Sequence, residues 1–331
     1  VEATRFLSLN NPGFYHIDVD DVDYHIYEER RFIVGDETFG VGQRLGVLRE
    51  KHGIDLVGQR GKKVALFGVG FLGTRILRNL AKFFQNIVVI DYDYVGDENI
   101  NYQDLYMIDD IGVDKTLAAS YNAAKLNPLS RIYAVRHVVP RYPEPASRLV
   151  EEVVKWSDIV ITTFDTLPPR LTVQLTCLKF NKPLIDVAVG PDDAQIRVYT
   201  GEACIGCYVS SLPQSGARSI YASHPLIAEA ASAIATWIAL EIAHGGIPKF
   251  NRIYLSNGGL NIEKNYWPKD SNCFICNDVD IIGKKLKPYE IITHLKVRRE
   301  DDVRELNYVV ASYIRYLQRL KFEIENWRDG T

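Results

Sequence analysis

The sequence predicts an α/β fold, a Rossmann-like doubly wound sheet of mostly parallel strands with helices on both faces. Three observations carry the prediction. An apolar run, Val64 to Val69, ends in Gly68-x-Gly70-x-x-Gly73 and passes directly into residues at helical spacing (Ile76, Leu77, Leu80, Phe83 and Phe84). A second apolar run, Ile87 to Ile90, then stops at Asp91, at the distance from the glycines that a dinucleotide-type fingerprint requires. Strand-length and helix-length segments go on alternating as far as Val189, the pattern of parallel strands joined by crossover helices.

Taken in order, residues 1–40 alternate apolar and polar positions and are rich in aromatics, which predicts two or three short strands in an added N-terminal β module. Such a module either forms a wall for a partner or covers a sheet edge. A charged, helical approach follows between Val41 and Arg60. The glycine turn comes next, where Gly68, Gly70 and Gly73 let the backbone come close to a phosphate. The helix after it offers unpaired N–H groups to that phosphate, and Asp91 offers a carboxylate to a ribose hydroxyl. Beyond Lys115 the pattern predicts a helix (Thr116 to Leu126), a strand (Arg131 to Val138), a helix (Pro145 to Lys155) and a strand (Asp158 to Phe164). Asp165 falls just after that strand, and a helix and the buried strand Pro183 to Val189 follow. In an open parallel sheet ligands bind at the carboxyl ends of strands, although an acid there also serves to cap the next helix.

Cys204-x-x-Cys207 and Cys273-x-x-Cys276 can each place two thiolates on one metal, and together they complete a tetrahedral set that staples distant segments. Four sulfurs leave no open coordination position, so a structural rather than catalytic metal is expected. The fifth cysteine, Cys177, lies in an apolar helical pattern and reads as a small buried hydrophobe. Pro225 to Ala243 is the most apolar long stretch, but Glu229 and Glu241 suit a buried or dimer-facing helix better than a membrane span. Residues 277–331 form a C-terminal extension, which includes an amphipathic helix with Leu306, Val309, Val310, Tyr313, Ile314, Leu317 and Leu320 on one face.

With 331 residues, 47% hydrophobic and 24% charged, the chain has the composition of a globular protein with room for one large domain or two ordinary ones. A formal net charge of −3 argues against nucleic acid or an acidic membrane surface as principal partner. No secretory pattern opens the sequence, and paired cysteines read as metal ligands belong in a reducing compartment; a cytoplasmic location is the expectation.

The segment Asp91-x-Asp93-x-Val95-x-x-x-Asn99-x-x-Tyr102-Gln103, followed by Gly112-x-x-Lys115, closely resembles the ubiquitin-activating superfamily and its simpler ThiF/MoeB-like adenylyltransferases. The resemblance runs from about Arg44 to Cys276, which delimits residues 41–276 as an ATP-binding adenylation domain. It implies adenylation, with ATP and Mg2+, of the C-terminal carboxylate of a ubiquitin-like or sulfur-carrier protein or a peptide, with release of pyrophosphate. It also implies a homodimer and a structural Zn2+ at Cys204, Cys207, Cys273 and Cys276. By resemblance Lys115 meets the phosphates, Asp165 holds Mg2+, Asp91 binds the ribose, and Asp93, Asn99 and Gln103 lie in the nucleotide site. Arg44 matches an arginine that reaches the neighbouring subunit's ATP site.

One position departs from the pattern. The residue before the glutamine is usually a phosphate-binding arginine, and here it is Tyr102, which can donate a hydrogen bond but carries no charge. Either another cation (Arg44, Arg75 or Arg170) takes its place, or activity is weakened. The second alternative describes a partner-binding scaffold subunit. A third reading, an NAD-dependent oxidoreductase, leaves Asn99 to Lys115 without a role.

Overall fold

The computed structural model describes residues 61–127, 130–142, 144–209, 223–256, 261–271, 273, 275 and 276, and the backbone alone of 13–18. Within them nine strands form one sheet. They are β1 (Gly13–Asp18), β2 (Lys63–Phe67), β3 (Asn86–Asp91), β4 (Arg131–Arg136), β5 (Ile159–Thr162), β6 (Leu184–Val189), β7 (Ala194–Tyr199), β8 (Arg252–Ser256) and β9 (Asn261–Asn265). Their order is β1-β4-β3-β2-β5-β6-β7-β8-β9. From β1 to β6 every neighbouring pair is parallel, and β6 to β9 pair antiparallel.

Side chains alternate across the parallel strands and bury both faces, which is why these segments read as continuous apolar runs. Val64, Leu66, Ile87 and Val89 face one layer, packed against α1 (Phe71–Phe83), α3 (Lys115–Ala124) and α7 (Pro225–Ala243). Between α1 and α3 lies the single-turn α2 (Asp97–Ile100). Ala65, Phe67, Val88 and Ile90 face the other layer, with α4 (Arg148–Trp156), α5 (Leu167–Phe180) and the short α6 (Ile205–Val209). Helix α7 is long and apolar enough to cross a membrane by length and composition. Among the described residues it packs on the sheet and on α1, with Ile227, Ala228, Ala231, Ala235, Ile238 and Ala239 buried.

The predicted strands and helices between Val64 and Val189 stand where the periodicity put them, to within a few residues at each end. The antiparallel extension is additional. β7 and β8 carry the alternation of half-buried strands, whereas β9 is exposed along its whole length and has no apolar period to announce it. Six residues of the 1–40 segment, as β1, add to the sheet edge in parallel with β4. Arg44, the rest of 1–60 and residues 277–331 lie outside the described residues.

Candidate functional site

The sheet reverses its winding between β2, whose chain leaves for β3 on one side, and β5, whose neighbour β6 lies on the other. A crevice opens at the carboxyl ends of strands at such a switch point. The glycine turn follows β2 on one wall; Thr163 and Asp165 follow β5 on the other.

The three glycines serve three purposes. Gly68 has φ +93°, a conformation that side chains resist, and a Cβ there would also meet Thr163 Oγ1 at 2.8 Å. Thr163 locks this turn: its N–H donates to Phe67 O at 2.9 Å and its hydroxyl to Gly68 O at 2.9 Å. At Gly73 a Cβ would sit 2.1 Å from Gly68 O, so only glycine lets α1 start this close to β2. Gly70 is different, because a Cβ there would meet nothing within 4 Å. Among the described residues the space beside Gly70 is open.

Helix α1 opens onto that space. Its N-cap is Gly70, no side chain caps it, and its first turn holds no acid. The first N–H groups of a helix have no partner inside it and carry the positive end of its dipole, a combination suited to phosphate. Helix α5, on the opposite wall, also begins without a side-chain cap, at Thr166. By contrast α3 is capped by Asp114, which accepts from the N–H groups of Thr116 and Leu117, and α4 by Ser147.

Asp91 ends β3. Its carboxylate accepts from Val69 N–H at 2.8 Å, Tyr92 N–H at 2.7 Å and Asp93 N–H at 3.0 Å, so it ties the glycine turn to its own loop. Burial raises its pKa from 3.8, and the N–H groups of Val69 and Asp93 oppose the rise. Lys115 is the first residue of α3, its side chain only 10% exposed, with Nζ 3.5 Å from Asp93 Oδ2. Tyr106 lies beneath and donates to Val69 O at 2.6 Å. Asn99 is buried and accepts from Gly96 N–H at 2.9 Å, which caps the single turn of α2. The Gln103 side-chain oxygen is buried with no hydrogen-bond partner among the described residues. Asp165 stands exposed at the crevice mouth.

Two of the three substitutes for the missing arginine are committed elsewhere. Arg75 pairs with Asp104 at 2.9 Å and Glu229 at 3.6 Å, and donates to Tyr102 O at 3.2 Å. Arg170 is buried against Asp186 at 2.7 Å. Both are held by acids distant in sequence, which local spacing could not reveal. Tyr102 itself stacks on Phe71, with ring centroids 4.0 Å apart, and its hydroxyl donates to Ser223 O.

The cysteines form the second constellation. Cys204 and Cys207, at α6, meet Cys273 and Cys276 with all four sulfurs within 4.8 Å of one another. Individual Sγ···Sγ distances are 3.9 Å for Cys204–Cys207, and 3.6 Å for both Cys204–Cys273 and Cys207–Cys276. A tetrahedron of sulfurs at the Zn–S distance has edges of about 3.8 Å, so the set fits zinc. Cys177 is fully buried, and burial pushes its thiol far up. Sequence reasoning missed Thr163, Asp186 and Arg197; an acid inside the apolar run Leu184–Val189 was the available signal for the last two.

The sequence profile of the ThiF family matches residues 56–264. The chain is 31% identical over 163 residues to a sulfur carrier protein adenylyltransferase of Thermus thermophilus, covering 46% of this chain and 58% of that protein. It is 25% identical over 241 residues to the adenylyltransferase and sulfurtransferase MOCS3 of Drosophila sechellia, covering 70% of this chain and 52% of the relative. The chain thus spans a little over half the length of these two relatives. In fold it is similar to MccB of E. coli bound to MccA-N7isoASN. The TM-score is 0.59 at 20% identity, with 73% of this chain and 75% of the other covered.

Proposed function

This chain belongs to the ThiF family, and on that premise we propose that it uses ATP to adenylate the C-terminal carboxylate of a small ubiquitin-like or sulfur-carrier protein or of a peptide. The observation that carries the reading is the crevice between β2 and β5, with its open space at Gly70, the uncapped N-terminus of α1, and Lys115 and Asp165 at the strand ends.

In the proposed reaction the substrate carboxylate attacks the α-phosphate and pyrophosphate leaves. The protein's task is to hold mutually repelling anions in line, and it needs no nucleophile of its own. The α1 N–H groups receive phosphate oxygens. Lys115 adds a positive charge, balanced at rest by Asp93. Asp91 keeps the glycine turn in shape and can take the ribose hydroxyl, Gln103 offers its unpartnered oxygen, and Asn99 holds the loop that carries Gln103. Asp165 is the residue that would hold Mg2+, which supplies charge neutralisation when bound. Arg44 would complete the site across a homodimer. The four cysteines would hold a structural Zn2+. With Cys177 buried and the other four sulfurs grouped, the described residues offer no reactive thiol, so the acyl-adenylate passes directly to another acceptor. A cytoplasmic location, without membrane or nucleic acid, accords with the charge and cysteine use.

ATP–pyrophosphate exchange with candidate carboxylate partners tests this. Exchange should require a partner and Mg2+, and Asp165→Ala should lower it by about 100-fold or more with little change in Tm. Exchange at the wild-type rate in that variant would remove Asp165 from the site, and binding of NAD in place of ATP would end the adenylation reading. Tyr102 favours a second reading, a scaffold subunit, since its ring and hydroxyl serve packing where a charge is expected. ATP binding without exchange for any partner would select it.

A further inference from the structure

Behind the Asp165 turn lies a buried charge cluster with no role in the account above. Asp186, 1% exposed, sits within β6 and is gripped from three sides. Thr162 Oγ1 and Arg170 Nη1 each donate to its Oδ1 at 2.7 Å, and Arg197 Nη1 donates to its Oδ2 at 2.9 Å. Arg197 is the cross-strand partner of Asp186 on β7, and Thr162 is its partner at the end of β5. Arg170 reaches onward from the first turns of α5. Its Nη1 also donates to Val187 O at 3.1 Å, and its Nη2 donates to Phe164 O, the carbonyl just before Asp165.

Resting on the reading of Asp165 as a ligand-facing acid, we propose that Arg170, Asp186 and Arg197 are positioning residues that aim the Asp165 turn into the crevice. The argument is geometric first. A planar guanidinium that bonds Asp186, Val187 O and Phe164 O at once has no freedom left, so it transmits the rigidity of β6 to the turn. Arg197 holds the far oxygen of Asp186 and stops that carboxylate from rotating. Charge supports the geometry: two guanidinium groups face one carboxylate, leaving one buried positive charge behind the turn. Asp165 and Arg170 are within electrostatic range of each other, so the cluster and the turn attract across the short segment that joins them. An isolated Arg–Asp pair would have served stability alone. The second arginine and the bond to Phe164 O direct the cluster toward the site.

Two variants test this while keeping Asp186. Arg170→Lys keeps the charge and loses the fork; Arg197→Met leaves one arginine against one acid and releases the far carboxylate oxygen. Amide hydrogen exchange of the segment that includes Thr163 and Asp165 is read without any need for activity. It should rise about 10-fold in Arg170→Lys and by a smaller factor in Arg197→Met, with the amides of β2 and β3 unchanged. In pyrophosphate exchange the Mg2+ concentration at half-maximal rate should rise about 10-fold while KM for ATP stays within about twofold. A purely structural role would lower Tm and the active fraction without moving either readout. The proposal is overturned if either folded variant keeps the segment's hydrogen exchange within twofold of wild type. Should the wild type show no pyrophosphate exchange while both variants loosen the turn, the adenylation reading fails and the positioning role stands.

Discussion

Single residues in the glycine turn differ in what surrounds them. Gly73 has no room for a methyl group, since its Cβ would lie 2.1 Å from a backbone oxygen that cannot withdraw without moving β2. Gly70 has an ordinary φ of −77° and open space where the Cβ would go. Gly73→Ala should therefore cost about 1–3 kcal/mol of stability, read by urea denaturation. Gly70→Ala should leave the denaturation midpoint nearly unchanged and weaken ATP binding, measured by calorimetry, because the methyl group enters the space next to the α1 N-terminus. The reverse ordering would place the phosphate somewhere other than this turn.

Among the elements, α1 and α7 show how a strongly apolar helix is held in a polar setting. Arg75 and Arg78 of α1 reach both Asp104 and Glu229, and Glu229 projects from α7. The same cluster orders the Tyr102 loop, because Arg75 also donates to Tyr102 O. The two acids are not equivalent. Asp104 is 18% exposed and Glu229 46%, so solvent screens the second far more. Glu229→Ala should cost about 0.5–1 kcal/mol, as surface pairs do, and Asp104→Ala about 1.5–3 kcal/mol, as hydrogen bonds to charged groups do. Chemical denaturation of both variants checks the order. An equal cost would mean that Glu229 is more shielded than its exposure indicates.

At the scale of the whole molecule, the cysteine cluster joins segments 69 residues apart in sequence. It also touches the wall of the crevice formed by α5 and β7, since Ile205 N–H of the first knuckle donates to Gln174 of α5 at 3.1 Å and Tyr208 lies beside Arg197. Metal affinity at such a site is folding free energy. Purified, reduced protein should contain one zinc per chain by elemental analysis, and chelation should lower Tm by several degrees. Absence of zinc, or a Tm indifferent to chelator, would refute the metal assignment.

The sequence by itself determined the strand–glycine turn–helix unit, the alternation that builds the parallel sheet, the burial of Cys177 and the pairing of the cysteines. These features are written in local spacing: hydrophobic periods of two and 3.6, and knuckles of fixed length. Tertiary structure alone decided which charges are spent. Arg75 and Arg170 read from sequence as cations available to replace the arginine missing at Tyr102, but each is bound to acids brought to it by other elements, 29 residues away for Asp104 and 16 for Asp186. Asp91 reads as a ribose ligand, and folding also gives it the amide of Val69 to hold. The physical reason is common to all three. A side chain's charge is local information, whereas its partner is fixed by packing between segments far apart in the chain, and a buried charge takes the partner that packing supplies.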